Sequence, residues 1–208
     1  MTRLLLIRHG QSEWNADGRW QGQANPPLTT LGRRQAAEAS ASLGAVDGIF
    51  SSTLNRAHST AEIIAAEIGI GPVIALPGLI ERHAGEWQGL TRSQIEAQFP
   101  GYLDENRRPP SWESDDSLAE RAFDSLDRIV RALAELGARG EERSGVDVEA
   151  IVVTHGGLVY EVERRLGATF ERMGNLDGRY VNHVRGSWVL GERVDLLHGV
   201  DVTIPDQI

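Results

Sequence analysis

Two of the His-Gly pairs in this chain, His9-Gly10 and His155-Gly156, each come just after a four-residue, wholly aliphatic run, residues 4–7 (Leu-Leu-Leu-Ile) and 150–153 (Ala-Ile-Val-Val). Such runs read as strands buried on both faces. Arg8 stands beside His9. Arg56 falls in the first turn of a helix that follows Ser51-Ser52, and Glu81 lies shortly after a third aliphatic run at 73–76. If these strands are neighbours, their ends bring together two imidazoles, two guanidiniums and a carboxyl group. Converging cations in a chain of net charge −9 make a local pocket for a strongly anionic group, because Arg grips phosphate oxygens in pairs. Neutral imidazole is a competent phosphoryl acceptor near pH 7. A nearby carboxylic acid can protonate a leaving oxygen. With Arg and His supplying the charge, no metal is required, and no ligand set with zinc or calcium spacing is visible.

Each residue also has an ordinary alternative. Arg-His-Gly arises by chance in on the order of 1 in 100 chains of this length. His155 could be a turn residue satisfied by backbone. Arg56 could pair with Glu62 or Glu67 on its own helix, although a spacing of six fits poorly. Glu81 could be a solvated loop charge. Their shared position at strand exits separates them from those alternatives, since ligands of open α/β sheets bind at the carboxyl ends of strands.

The elements that must hold these groups follow from periodicity and punctuation. Residues 11–30 read as a long polar loop with Gly18, Gly22, Pro26 and Pro27. Thr29 or Thr30 caps a helix over about 31–43. A short strand at 48–50 leads to a helix over about 54–68, stopped by Gly69 and Gly71. Residues 79–89 are irregular, 91–99 form a short helix, and 101–116 form an exposed insertion. Ser117 starts a helix over about 118–136, with Leu118, Ala122, Leu126, Ile129 and Leu133 on its apolar face. A charged loop occupies 137–145, and a helix runs from the second His-Gly to about Leu166. Two strand candidates, 187–190 and 193–197, flank Gly191. Strands alternating with helices imply an α/β three-layer sandwich: a mostly parallel central sheet with helices on both faces.

Composition narrows the classes. The chain has 208 residues, 40% hydrophobic and 25% charged, ordinary for a globular protein. Lys+Arg 21 against Asp+Glu 30 supplies no basic field for nucleic acid and none for an anionic membrane. Absence of cysteine removes disulfides, thiolate metal sites and cysteine nucleophiles. It suits a reducing cytoplasm. No apolar run exceeds four residues, against about 20 for a membrane span, and the N-terminus carries too short an apolar stretch for a signal peptide. The expectation is a cytoplasmic chain, mature from residue 1.

Leu6-Ile7-Arg8-His9-Gly10-Gln11-Ser12-Glu13-Trp14-Asn15 resembles the signature of the histidine phosphatase superfamily, the phosphoglycerate mutase-like proteins. The resemblance continues in order through Arg19-Trp20-Gln21-Gly22, Pro27-Leu28-Thr29-Thr30-Leu31-Gly32, Ser51-Ser52-Thr53-Leu54-Asn55-Arg56-Ala57, Leu79-Ile80-Glu81-Arg82-His83 with Gly85-Glu86-Trp87-Gln88-Gly89-Leu90, and Val153-Thr154-His155-Gly156-Gly157. It spans roughly residues 3–190. It implies that His9 is the nucleophile that becomes phosphohistidine, and that Glu81 gives a proton to the leaving group and then activates water. Arg8, Arg56 and His155 complete the implied catalytic set. The implied substrate-binding set is Arg8, Asn15, Gln21, Gly22, Arg56, Glu81, His155 and Gly156. No metal and no cofactor are implied. The pattern is left at two places. Asp115-Asp116-Ser117 stands where many relatives have Gly-Glu-Ser, so that extra acid either repels anionic substrates or faces solvent. Ala84 replaces an expected aromatic.

The resemblance implies one domain over 1–208 with an inserted cap around 84–116. A short insertion and a brief tail at 200–208 favour a phosphatase that lets water reach the phosphohistidine. The alternatives are a cofactor-dependent phosphoglycerate mutase or a non-catalytic phospho-ligand binder. The expected substrate is a small phosphorylated metabolite, and a homodimer is left open. Trp14, Trp20, Trp87 and Trp112 are candidates for an apolar or sugar-stacking wall. His58, His83, His183 and His198 carry no assigned chemistry.

Overall fold

The structure is a computed structural model that describes residues 1–138 and 147–198. Its centre is a six-stranded sheet. The strands are β1 (Thr2–Arg8), β2 (Gly48–Ser52), β3 (Ile74–Leu76), β4 (Val148–Thr154), β5 (Asp177–Val184) and β6 (Ser187–Asp195), in the order β3-β2-β4-β1-β5-β6. The first four in that order run parallel, and β5 and β6 add an antiparallel edge. The helices are α1 (Glu13–Ala16), α2 (Thr30–Ala39), α3 (Asn55–Ile68), α4 (Arg92–Gln98), α5 (Asp115–Ala138) and α6 (Gly156–Arg165).

The aliphatic runs at 4–7 and 150–153 lie side by side at the middle of the sheet, with Ile7 opposite Val153 and Arg8 opposite Thr154. Their side chains alternate between two cores, as the period of two requires. Leu4, Leu6, Ala150 and Val152 pack with Leu126 and Ile129 of α5 and with Leu158 of α6. Leu5, Ile7, Ile151 and Val153 pack with Ala57, Ala61 and Ile64 of α3. Helices therefore cover both faces, and the three-layer α/β expectation holds.

Several local expectations are corrected. The loop 11–30 contains the single turn α1, closed by a reciprocal cap between Ser12 and Asn15. α2 ends at Ala39 and passes into a 3-10 turn at Ser40–Ser42. α5 begins at Asp115, not near 118, because acidic residues suit the positive end of a helix. The strand at 73–76 is a three-residue exposed edge. β5 is absent from the sequence expectations: Asp-Gly-Arg-Tyr-Val-Asn-His-Val is only partly buried and so carries no aliphatic run. The two strands expected around Gly191 are one, β6. A methyl group on Gly191 would sit 2.7 Å from Tyr180 Cβ, so glycine here permits close pairing with β5 instead of marking a turn. Most of the expected charged loop at 137–145, and all of the tail at 200–208, lie outside the described residues. Among the described residues, no helix is long and apolar enough to cross a membrane.

Candidate active site

β1 and β4 end together. The His9 N–H donates to Thr154 O at 3.0 Å, extending the ladder by one residue before the chain turns. Gly10 makes that turn against the start of α2: a methyl group on it would lie 2.5 Å from Gly32 O. The Gly10 carbonyl lies 2.7 Å from His9 Nδ1. A carbonyl can only accept, so Nδ1 carries the proton and Nε2 keeps its lone pair. That lone pair receives the Arg56 Nε–H at 3.1 Å. His155 lies 5.2 Å from His9, ring centre to ring centre, edge to face. Its Nε2 meets Ser52 Oγ at 2.8 Å, and its buried Nδ1 has no hydrogen-bond partner among the described residues.

Both imidazoles are held neutral. Burial pushes the His9 pKa well below its usual value, and the charges of Arg56 and Arg8 push the same way. Burial does the same to His155, with Arg56 next in size. The Arg56 pKa falls to about 10, chiefly through burial, so the group stays cationic at neutral pH. Arg56 also donates to Ala24 O at 2.7 Å and Gly22 O at 2.9 Å, not to Glu62 or Glu67 on its own helix. Arg8 is buried as well and donates through Nη1 to Met173 O.

Glu81 faces these groups across a cavity of about 560 Å³, which is lined by Arg8, His9, Gln21, Gly22, Arg56, Glu81 and Gly156 among others. The Glu81 carboxylate accepts from the Arg82 N–H at 2.7 Å and the Gly157 N–H at 3.0 Å. A methyl group on Gly157 would lie 2.5 Å from Glu81 Oε1, so the second glycine of His-Gly-Gly is what lets the acid approach. His155 and Asn15 do not line the cavity. His155 packs edge to face against the His9 ring. Asn15 is buried under the loop, its Oδ1 accepting from the Ser12 N–H and Oγ–H at 3.1 Å each. Ser12 Oγ also meets Gln21 Oε1 at 2.7 Å, so Asn15 reaches the cavity through Gln21.

The outer wall differs from the sequence expectation. Trp20 and Trp112 line the cavity, but Trp87 is fully buried beneath them, 5.2 and 5.7 Å away. Trp14 lies against Gly89. Asp115 is on the cavity wall yet bound to Arg82 at 2.8 Å, and exposed Asp116 is paired with Arg165. Both acids are exposed, as the solvent-facing alternative expects, and each is paired with an arginine. His58 meets Ser51 Oγ at 2.9 Å and Glu62 at 3.6 Å. Ser51 is wholly buried, so that trio is closed to substrate. His83 Nδ1 lies 3.0 Å from Ser111 O and 3.1 Å from the Gly85 N, His183 packs on Trp188, and His198 meets Ser42.

Sequence reasoning missed the segment 168–175. Phe170 lines the cavity while 63% exposed, stacked on Tyr160 at 5.0 Å. The Met173 N–H donates to Tyr160 Oη at 2.8 Å while its carbonyl holds Arg8. Asn175 Nδ2 donates to His9 O at 2.7 Å. No periodic signal marks these residues; Gly174-Asn175 reads only as a turn. Among the described residues, no group of three or more His, Cys, Asp or Glu side chains could hold a metal ion.

A family model described as the histidine phosphatase superfamily (branch 1) matches residues 4–183. The chain is 34% identical over 211 aligned residues to a metal-independent phosphoserine phosphatase of Arabidopsis thaliana, covering 95% of this chain and 83% of the relative. It is 34% identical over 200 residues to a glucosyl-3-phosphoglycerate phosphatase of Mycobacterium tuberculosis, covering 91% and 87%. Among solved structures, the mycobacterial glucosyl-3-phosphoglycerate phosphatase in complex with VO3 superposes with a TM-score of 0.77 at 32% identity, over 90% of this chain and 96% of that one.

Proposed function

The chain belongs to the histidine phosphatase superfamily, and from that premise we propose that it hydrolyses phosphomonoesters of small metabolites through a phosphohistidine on His9. The observation that carries the proposal is the neutral His9 Nε2, fixed by Gly10 O, between two buried guanidiniums and across a cavity from Glu81. Names borne by the relatives, phosphoserine phosphatase and glucosyl-3-phosphoglycerate phosphatase, support a small phosphorylated substrate.

In the first step the Nε2 lone pair forms a bond to phosphorus as the ester P–O bond breaks. Glu81 passes its proton to the departing oxygen. Arg56 Nε shifts from Nε2 to a phosphoryl oxygen, joined by Arg8, while His155 packs against the His9 ring. The ring now carries positive charge, and the Gly10 carbonyl stabilises it at Nδ1–H. In the second step water attacks phosphorus, the N–P bond breaks, and the Glu81 carboxylate takes the water proton. Phosphate leaves and His9 is again neutral. Fixed, buried cations stabilise the charge that develops in each transition state, and such preorganised electrostatics commonly lower the barrier more than any other single effect. In this reading residues 1–208 form one domain and 84–116 its cap; the antiparallel bridge between Ala84 and Trp112 supports that boundary.

Brief incubation with substrate followed by rapid quenching is expected to trap an acid-labile phosphate on His9. His9→Ala is expected to cut turnover by about 10⁴-fold or more with the fold retained. Near-normal hydrolysis by that variant would overturn the covalent mechanism.

A further inference from the structure

The segment that carries Glu81 belongs to no strand or α-helix, yet four of its successive carbonyls are each held by a side chain. Arg121 Nη1 donates to Gly78 O at 2.9 Å and to Ile80 O at 2.6 Å, and Nη2 donates to Glu81 O at 3.0 Å. Thr154 Oγ1 donates to Leu79 O at 2.8 Å, and Gln23 Nε2 adds a second bond to Glu81 O at 3.1 Å. Arg121 directs its remaining donors to Glu113, Nε to Oε1 at 2.7 Å and Nη2 to Oε2 at 2.8 Å. A guanidinium has five N–H donors, and here they make five bonds.

Glu113 completes the clamp from the far side of Glu81. Its Oε2 accepts the His83 N–H at 3.0 Å, and its backbone carbonyl accepts Arg82 Nη1 at 2.7 Å. Burial alone would raise the Glu113 pKa, but the bonds from Arg121 and His83 outweigh it and leave the group below its usual value, hence ionised. The loop is pressed onto α5 at Gly78, where a methyl group would lie 2.1 Å from Ser125 Oγ and 2.9 Å from Arg121 O. Gly78 through His83 is thus pinned on both sides of residue 81 by one ion pair outside the cavity.

We propose that Arg121, backed by Glu113, is the positioning residue that sets where Glu81 meets the leaving-group oxygen. This rests on the assignment of Glu81 as proton donor made above. Geometry is what such a donor most needs, since proton transfer requires hydrogen-bond reach in the reacting complex. Lysine cannot substitute. Its point charge and short donor set cannot span three carbonyls and a carboxylate together.

The test compares phosphorylation of His9 by an alkyl phosphate and by a nitrophenyl phosphate in single-turnover measurements. Only the alkyl leaving group depends strongly on a proton. Glu81→Gln is expected to slow the alkyl ester by about 100-fold or more and the nitrophenyl ester far less. Arg121→Lys is expected to slow the alkyl ester by about 10-fold and leave the nitrophenyl ester within about 2-fold. In the Glu81→Gln background Arg121→Lys should add almost nothing, the signature of two residues acting as one unit. Glu113→Gln and Gln23→Ala should shift the same ratio in the same direction by less, and they carry the test if Arg121→Lys does not fold. Equal loss on both esters, or full additivity with Glu81→Gln, would overturn the positioning role and leave Glu81 as the donor. No ester contrast in Glu81→Gln itself would overturn the assignment of Glu81, and this inference with it.

Discussion

At the floor of the cavity, Arg8, His9 and Arg56 stand at the end of β1 and in the first turn of α3, with His155 at the end of β4 packed against the His9 ring, all of them buried. The outer wall is drawn from the loop before α5 and the segment after α6, where Arg108 and Phe170 remain open to solvent. The floor groups are held by backbone: His9 by Thr154 O, Arg56 by Gly22 O and Ala24 O. The wall is held by side chains pairing with one another, as in Arg82 with Asp115 and Glu161, or Arg108 over Trp112 at 5.2 Å. Charges in the buried floor are screened less and act more strongly on a transferring phosphoryl group. Charges at the open rim are screened by water and are worth far less each. The difference teaches where chemistry and selectivity should separate.

The largest expected contrast comes from the floor. Arg56→Ala should lower kcat/KM by about 10²–10³-fold on every phosphate ester, large or small, with Arg56→Lys recovering part of it. The rim should behave otherwise. Arg108→Ala at its exposed site and Trp112→Ala at its half-buried one are expected to raise KM several-fold for a phosphorylated metabolite with a bulky or second anionic body, about 1 kcal/mol or less each. The same changes should leave a small alkyl phosphate unaffected. Steady-state kinetics on a panel of phosphorylated metabolites checks both. Equal losses on small and large esters for the rim variants would break the division.

The smallest effect is on stability. His9 and His155 both have pKa values pushed below the usual value by burial. Below about pH 6.5 the unfolded chain binds protons at these positions and the folded chain does not. Stability present above that pH is therefore lost progressively as pH falls. Thermal melts between about pH 7.5 and 5.5 should show this decline. His155→Asn, which removes one such group, should make the slope shallower by roughly one proton. An unchanged slope would mean that His155 is protonated in the folded state.

How the site came to be legible differs between the same two regions. His9 and His155 each follow a four-residue aliphatic run, which marks both as strand ends, but only the pairing of the sheet makes those two strands neighbours. Register then put Arg8 beside Thr154. Arg56 could be placed in the first turn of a helix behind a strand. Its partners could not, because Gly22 O and Ala24 O lie 34 and 32 residues away in an irregular loop. β5 is invisible for a related reason: it is an outlying strand with mixed burial, so its pattern is neither aliphatic nor cleanly alternating.

Sequence alone therefore determined the α/β class, two histidines at strand ends, and the residue types that such ends could offer to an anion. Those facts are written in local periodicity and in glycines that must turn. Tertiary structure decided the rest: that Arg121 reaches the loop carrying Glu81, that Met173 O restrains Arg8, that Asn175 holds the carbonyl of His9, and that Asp115 is neutralised by Arg82. Each of these is a side-chain bond between residues far apart along the chain. A bond of that kind needs only one donor and one acceptor in the right place, so it leaves no repeat in the sequence by which it could be found.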